Sequence, residues 1–486
     1  MASYDYDIGI IGGGAAGLTV ASGAAQLGAR TLLIEREPTL GGDCLHFGCV
    51  PSKTLIHTAR LYRQLKDWPR FGLPRIDVAP VDFLAVRKRI REVIARIQEH
   101  DSVERFCRLG VQTEFGQARF TDEHQVDIGH SRYSARSWVI ATGSSAAAPH
   151  LDCLRQIPLL TNREIFSLDH LPASLIILGG GPIAIEMAQA FCRLGSQVTV
   201  VQRSGQILSK EDHDLADQVM QVMAGEGVRF LLNTTVIEAR QTATGSELVI
   251  ETDGSQQTIR AESVLLAQGR SPNLADLNLT AIGVDHSPKG ITVDARMRTS
   301  QRHIFAPGDV NGRLQFTHAA GHEGGVVVSN AIFHLPRKVN HRWMPWCTYC
   351  EPELASIGLN EKAARAAGID YQVWREEFSA NDRAICEGRE TGQLKMLLDE
   401  HEKPIGVQIL GPGAGDLLAQ WTTVLGGGVK LSTLAGIIQP YPTLAEINKR
   451  VAGSYISPKI FSDRIRKGLR LIFQLKGSAC PPSSPI

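Results

Sequence analysis

Ile8-Gly9-Ile10-Ile11-Gly12-Gly13-Gly14-Ala15-Ala16-Gly17 is the stretch that decides the fold. The apolar run Ile8–Ile11 reads as a short buried strand, and the alanine-rich residues after Gly14 read as a helix. Gly12, Gly14 and Gly17 therefore form G-x-G-x-x-G at a strand-to-helix turn. A second strand, Thr31-Leu32-Leu33-Ile34, ends at Glu35, an acid about 20 residues further on. Glycines in this setting let the backbone approach a pyrophosphate at the helix N-terminus, and Glu35 can accept from a ribose hydroxyl. Alone, the motif says only that a dinucleotide binds.

The pattern occurs twice. Leu175-Ile176-Ile177-Leu178 leads into Gly179-Gly180-Gly181-Pro182-Ile183-Ala184-Ile185-Glu186, a helix, and the strand Val198–Val201. Two such units in one chain imply two nucleotides brought together. After the second unit comes Val201-Gln202-Arg203-Ser204. A site for an unphosphorylated ribose usually carries an acid at the Gln202 position. Here a neutral side chain and the cation Arg203 suit a 2′-phosphate.

Between the two units lies Gly41-Gly42-Asp43-Cys44-Leu45-His46-Phe47-Gly48-Cys49-Val50-Pro51-Ser52-Lys53. If this segment starts a helix, Cys44 and Cys49 stand little more than one turn apart, within reach of a disulfide. A cysteine near a helix N-terminus also has its thiolate stabilised by unpaired N–H groups. Small apolar filler is the plainer use of two such cysteines.

Length and composition bound the answer. A chain of 486 residues is too long for one core and suggests roughly three domains. The net charge of +1 gives no field that would attract nucleic acid. Nine cysteines at irregular spacing are not the framework of a small secreted domain. The chain enters its first strand with no basic, apolar leader, and no run approaches the ~20 apolar residues of a spanning helix. The expectation is a soluble, cytoplasmic, multidomain α/β protein. Ser52–Arg63 and Val81–Arg108 read as amphipathic helices, the second N-capped near Asp82, with strands near Gln112–Phe120 and Gln125–Ile128.

Gly41–Lys53 closely resembles the redox-disulfide signature of the flavin-dependent pyridine nucleotide–disulfide oxidoreductases, which include glutathione reductase, dihydrolipoamide dehydrogenase and mercuric reductase. The resemblance extends in order over roughly Asp5–Ala452. It implies an α/β fold with two Rossmann-like dinucleotide-binding domains plus a C-terminal α+β dimerisation domain. The corresponding spans are 1–150 for the first part of the FAD-binding domain and 151–271 for the NAD(P)-binding domain. The return to the FAD domain is 272–343, the dimerisation domain 344–456, and a basic tail 457–486.

Site roles follow from the same resemblance. Gly12, Gly14, Gly17, Glu35 and Gly42 would bind FAD. So would Thr142 and Gly143 of Ala141-Thr142-Gly143, Asp309 of Ala306-Pro307-Gly308-Asp309, and Thr317 and Ala319 at the next helix start. Gly179, Gly181, Ala184, Gln202, Arg203 and Gly269 would hold the nicotinamide nucleotide, with NADPH expected and NADH possible. Cys49 would be the flavin-side thiolate, Cys44 the interchange thiol, and Lys53–Glu186 a pair that tunes the flavin. The function implied is electron transfer from NADPH through FAD and Cys44–Cys49 to a sulfur or metal–thiolate acceptor.

The resemblance breaks at one place. Glutathione reductases and dihydrolipoamide dehydrogenases carry His-Pro-Thr-x-x-Glu, supplied by the partner subunit as an acid/base pair. Here Gln439-Pro440-Tyr441-Pro442-Thr443-Leu444-Ala445-Glu446 keeps Glu446 and puts Tyr441 in the histidine position. A phenol with a pKa of about 10 does not take a proton at neutral pH as imidazole does. The tyrosine is closer to mercuric reductase, but that enzyme also uses a C-terminal cysteine pair, and the tail has only Cys480. Mercury(II) reduction, dihydrolipoamide oxidation and a non-turnover redox-sensing module stay as alternatives.

Two further features carry no assigned role. Cys347-x-x-Cys350 has half the spacing of a zinc site without a matching second half, so no metal site is expected. Ser457–Lys476 reads as a basic amphipathic helix with six Lys/Arg residues. Covering the body of a homodimer, whose active site would be shared across the interface, is favoured over a membrane surface. Beyond the second subunit, the partners expected are small disulfides, thiols or metal–thiolates, and no nucleic acid.

Overall fold

The first fingerprint lies on a sheet with a parallel centre. Strands Tyr6–Ile11, Thr31–Glu35 and Val111–Phe115 pair in parallel. On the other side of Tyr6–Ile11 come Ser131–Ile140 and then Ile304–Phe305, again parallel. Gln125–Ile128 and Ala118–Asp122 extend the sheet antiparallel. Ile8, Ile10, Leu32, Leu33, Val139 and Ile140 are all fully buried, as strands covered on both faces require. The second fingerprint repeats the design on a four-stranded parallel sheet of Arg229–Leu231, Gln197–Val201, Ser174–Leu178 and Ser263–Leu266. A three-stranded antiparallel meander, Thr234–Thr242, Gly245–Thr252 and Ser255–Ala261, follows the strand Arg229–Leu231 in the chain.

This computed structural model describes residues 4–477 and 479. They fall into two compact units, one running to Ser209 and resuming over Met220–His341, the other made of Lys210–Val219 and the chain from Arg342 onward. In the second unit a five-stranded antiparallel sheet has the order Pro345–Thr348, Glu353–Gly358, Pro404–Gly411, Gln393–Asp399, Tyr371–Glu377. The buried Trp421 of helix Ala414–Gly426 donates from its indole to Asn448 Oδ1 at 2.8 Å on helix Glu446–Ile460. Lys395 is fully buried on strand Gln393–Asp399, with Nζ at 2.8 Å from Asp212, 2.8 Å from Asp214 and 3.0 Å from Glu361. Burial works against its charge, but the bonds to Asp212 and Asp214 outweigh it and hold the ammonium pKa above the ordinary value.

Several elements differ from the sequence expectation. Cys44 and Cys49 do not share a helix: Gly42–His46 is one short helix and Cys49–Asp67 a second. Gly48 separates them, and a Cβ there would stand 2.9 Å from the Asp43 carbonyl and 3.2 Å from the Cys44 Cα. The missing side chain lets the chain fold back against Cys44. Val81–Arg108 is also two helices, Phe83–Gln98 and Val103–Arg108, because Ser102 takes extended backbone and caps the second by accepting from the Arg105 N–H. Gln112–Phe120 divides into Val111–Phe115 and Ala118–Asp122 around Gly116. The tail breaks at Ser462, where extended backbone ends Glu446–Ile460 and starts Asp463–Phe473. Cys480 lies outside the described residues.

Candidate active site

The fingerprint turns are built alike. Gly12 and Gly179 both have positive φ, +109° and +122°, and a Cβ on either would strike a backbone carbonyl, that of Ala141 at 2.3 Å or Ala267 at 2.4 Å. Gly14 and Gly181 each sit just before a helix, and a Cβ on Gly181 would meet nothing within 4 Å, while on Gly14 it would meet only Gly42 Cα at 3.8 Å. Both turns leave room for a phosphate against bare N–H groups. Gly17 and the buried Ala184 lie in the helices that follow. The buried Glu35 accepts from the Gly13 N–H at 2.6 Å and the Glu37 N–H at 2.8 Å, so its carboxylate is fixed at the end of its strand.

Gly42 joins the first fingerprint to the cysteine segment. Its φ is +62° and a Cβ there would lie 2.7 Å from Gly14 Cα, while the Gly41 N–H donates to the Gly13 carbonyl at 2.8 Å. Cys44 follows, half-buried, and Cys49 opens the 19-residue helix. Cys49 Sγ lies 3.5 Å from the Thr317 hydroxyl at the start of helix Thr317–Ala331, which also carries the buried Ala319. The Cys44 thiol donates to the Cys49 sulfur and is the largest cause of a thiolate pKa lowered to about 6. The Thr317 hydroxyl and the Lys53 cation act in the same sense, against burial and the Glu186 charge. The same proton-sharing, together with burial, pushes Cys44 far up. The pair therefore shares one proton, with Cys49 favoured as the thiolate. Lys53 Nζ stands 2.7 Å from Glu186 Oε2, which is nearly fully buried on the helix after the second fingerprint.

A second network ends on Asp43, the residue before Cys44. Arg270 donates to Asp43 Oδ2 at 2.9 Å and to the Ser144 hydroxyl at 2.8 Å, and that hydroxyl donates to Asp309 Oδ2 at 2.6 Å. Asn162 donates to Asp43 Oδ1 at 3.0 Å. Burial pushes the Asp309 carboxyl up, only partly countered by Ser144. Thr142 and Gly143 are held by Asn273, which accepts from the Thr142 hydroxyl at 2.7 Å and donates its own N–H to the Gly143 carbonyl at 3.0 Å. Sequence reasoning passed over Asp43, Ser144, Arg270 and Asn273. The available signal was an acid beside Cys44 that needed a cation, and the arginine of Gly269-Arg270-Ser271-Pro272-Asn273 supplies it.

At the second nucleotide turn Gln202 Nε2 donates to the Ser204 hydroxyl at 2.6 Å. Arg203 is exposed and makes no ion pair among the described residues. Gly269 has φ +120° and open space where a side chain would be. Glycine-lined helix starts together with the carboxylates of Glu35 and Asp309 are a donor and acceptor set that fits FAD and a nicotinamide dinucleotide.

Tyr441 and Glu446 are not paired. The exposed Tyr441 hydroxyl donates to Asp382 Oδ2 at 2.8 Å, and that carboxylate raises the phenol pKa further. Glu446 Oε2 instead accepts from the Thr443 N–H at 3.3 Å. Its place at the first turn of helix Glu446–Ile460 explains why: it caps its own helix start. His46 Nε2 is engaged by the Leu40 carbonyl at 2.8 Å. Among the described residues no group of three or more His, Cys, Asp or Glu side chains could hold a metal ion.

Comparison with known proteins agrees with this architecture. The family described as pyridine nucleotide-disulphide oxidoreductase matches residues 6–324. This chain belongs to that family. Its dimerisation domain matches residues 344–452, which supports a homodimer. A mercuric reductase of Bacillus cereus is 31% identical over 446 residues, covering 91% of this chain and 70% of that protein. A dihydrolipoyl dehydrogenase of Bacillus subtilis (strain 168) is 34% identical over 448 residues, 90% of this chain and 96% of that one. Among solved structures, the HOCl-induced flavoprotein disulfide reductase RclA from Escherichia coli superposes with a TM-score of 0.83 at 27% identity, covering 92% of this chain and 99% of RclA. The chain is thus an NAD(P)H-dependent flavoprotein disulfide oxidoreductase using FAD. No helix among the described residues is long and apolar enough to cross a membrane.

Proposed function

We propose that this enzyme takes electrons from NADPH and delivers them through Cys44 and Cys49 to acceptors whose leaving group is already a stable anion. Metal–thiolate complexes, persulfides and aromatic disulfides meet that condition. The observation that carries the reading is the Tyr441–Asp382 hydrogen bond. The single phenolic proton is committed to a carboxylate, so the residue in the histidine position offers a lone pair and no acid or base.

Bound FAD supplies the two-electron link between the nicotinamide and the Cys44–Cys49 disulfide. The chain's own residues do the rest. Thr317 and Lys53 hold Cys49 as the thiolate, and Glu186 fixes the Lys53 ammonium. Cys49 takes the Cys44 proton, and the Cys44 thiolate attacks one sulfur of the acceptor. A mixed disulfide forms on Cys44 and the first thiolate leaves. Once its proton passes to solvent, Cys49 attacks Cys44, expels the second thiolate and re-forms the disulfide. An aliphatic thiolate, of pKa about 8.5, wants a proton as it leaves, whereas a stabler anion does not. Tyr441 of the partner subunit would face this acceptor, as the family resemblance implies.

Mercury(II) and copper(II) are the metal ions to consider. Mercuric reductases are among the relatives, and RclA has been solved as a Cu(II) complex. The test is a screen of NADPH oxidation by the holoenzyme over aliphatic and aromatic disulfides, persulfides, and Hg(II)– and Cu(II)–thiol complexes. Rapid turnover of lipoamide or glutathione disulfide would sink the proposal. One-time reduction without turnover on any acceptor would favour the sensing module.

A further inference from the structure

The chain continues past the family's dimerisation domain, which ends at residue 452. After Ser462 it forms helix Asp463–Phe473, none of whose residues is buried. Ile465, Leu469, Ile472 and Phe473 follow the i, i+4, i+7, i+8 spacing of a single helix face. Ile472 is 71% exposed and Phe473 66%, and the stripe continues into Ile460 and Phe461 just before the turn. Leu471 falls outside it. Arg466 borders the Phe473 edge of the stripe, and Arg470, Lys467 and Arg464 follow it round the opposite, polar face. Among the described residues, Arg464, Lys467 and Arg470 make no ion pair, while Arg466 pairs with Asp463 at 3.6 Å. The span 457–476 holds six Lys/Arg residues and one acid, in a chain whose whole net charge is only +1.

An apolar stripe backed by a face that carries Arg464, Arg466, Lys467 and Arg470, with Asp463 the one acid among them, suits an occupant that is apolar inside and anionic at its surface. We propose that this segment docks the enzyme on an anionic phospholipid surface, lying in the interface with Phe461, Ile465, Leu469, Ile472 and Phe473 inserted. Charge complementarity selects this partner. The headgroup plane of an acidic bilayer presents negative charge to the polar face of a helix whose apolar stripe is inserted, and that face carries the four cations of Asp463–Phe473. The helix is far shorter than a span, so the association is peripheral and reversible. Salt weakens it, because the cations act through a screened surface potential.

The test uses full-length holoenzyme and co-sedimentation with phosphatidylcholine vesicles, with and without phosphatidylserine, at low and high salt. Binding is expected only to the phosphatidylserine vesicles and only at low salt. Each cation contributes about fivefold to such binding, so the triple variant Arg464→Glu, Lys467→Glu, Arg470→Glu should lose about 100-fold or more. Ile472→Asp with Phe473→Asp should abolish it. Both variants should keep wild-type NADPH oxidation and the wild-type oligomeric state by light scattering, which shows that they fold. Absence of wild-type binding, or equal binding to neutral vesicles, overturns the proposal. So does a charge-reversed variant that binds as before, or one that falls to monomer, which would assign the face to a second copy of this chain.

Discussion

Replacing Cys44 by alanine removes the thiol whose hydrogen bond is the largest cause of the low Cys49 pKa, lowered to about 6. A thiol of that pKa is about 90% thiolate at pH 7, against about 3% for an ordinary cysteine near 8.5. The gain in thiolate is about 30-fold, but intrinsic nucleophilicity falls about tenfold over the same interval. The rate at neutral pH therefore rises only about threefold, and the midpoint of the pH profile is the sharper observable. The assay is alkylation of the reduced protein by iodoacetamide as a function of pH, with the modified sulfur located by fragmentation of the peptide that carries both cysteines. In the wild type, Cys49 labelling should be full above pH 7 and lost as pH falls through about 6. The sign follows from a depressed folded-state pKa: the folded form of the reduced chain is stabilised above the unfolded value, and that contribution disappears as the pH drops through the folded one. Cys44→Ala should move the midpoint up by roughly one unit or more. Cys44→Ser, which keeps a donor, should leave it near the wild-type value. A wild-type midpoint near 8.5, or no response to Cys44→Ala, would refute the proton-sharing account.

Three other outcomes are expected. NADPH should be preferred to NADH, because Arg203 is exposed and Gln202 carries no charge to repel a phosphate; Arg203→Glu should invert the ratio of kcat/KM values, and an indifferent wild type would count against the assignment. Asp382→Asn should alter acceptor kinetics and their pH dependence more than Glu446→Gln, since Asp382 holds the Tyr441 hydroxyl and Glu446 a backbone N–H; the reverse ranking would restore Glu446 as the partner of position 441. Lys395→Met should destabilise the protein by about 3–5 kcal/mol, read by urea unfolding, because Asp212, Asp214 and Glu361 would be left without their buried cation.

The fingerprint units were legible because strand, glycine turn and helix lie within a few residues of one another and each glycine answers a local backbone need. Glu35 was legible for the same reason, being at a fixed distance along one βαβ unit. Lys53 and Glu186 stand 133 residues apart, and only the family resemblance could pair them. Arg270 and Asp43, 227 apart, left no periodic trace at all. Periodicity does not report a close backbone approach, and the one at Gly48 is what divides the cysteine segment into two helices. Tyr441 and Glu446 were set together only by the family resemblance, whose acid/base pair occupies these two positions. The helix start claims the glutamate for its own capping, and a carboxylate from helix Asp382–Glu387 takes the phenol.

The central claim is that Cys44 expels leaving groups without help from an acid at position 441. Its most direct test is kcat/KM for NADPH-driven reduction of a series of disulfides, plotted against the pKa of the thiol released. The account predicts a steep fall as that pKa rises, with aromatic disulfides faster than aliphatic ones by about 10²–10⁴-fold, loss of all activity in Cys44→Ser, and a flatter line in Tyr441→His. A flat line in the wild type, with lipoamide reduced as fast as an aromatic disulfide, would contradict it.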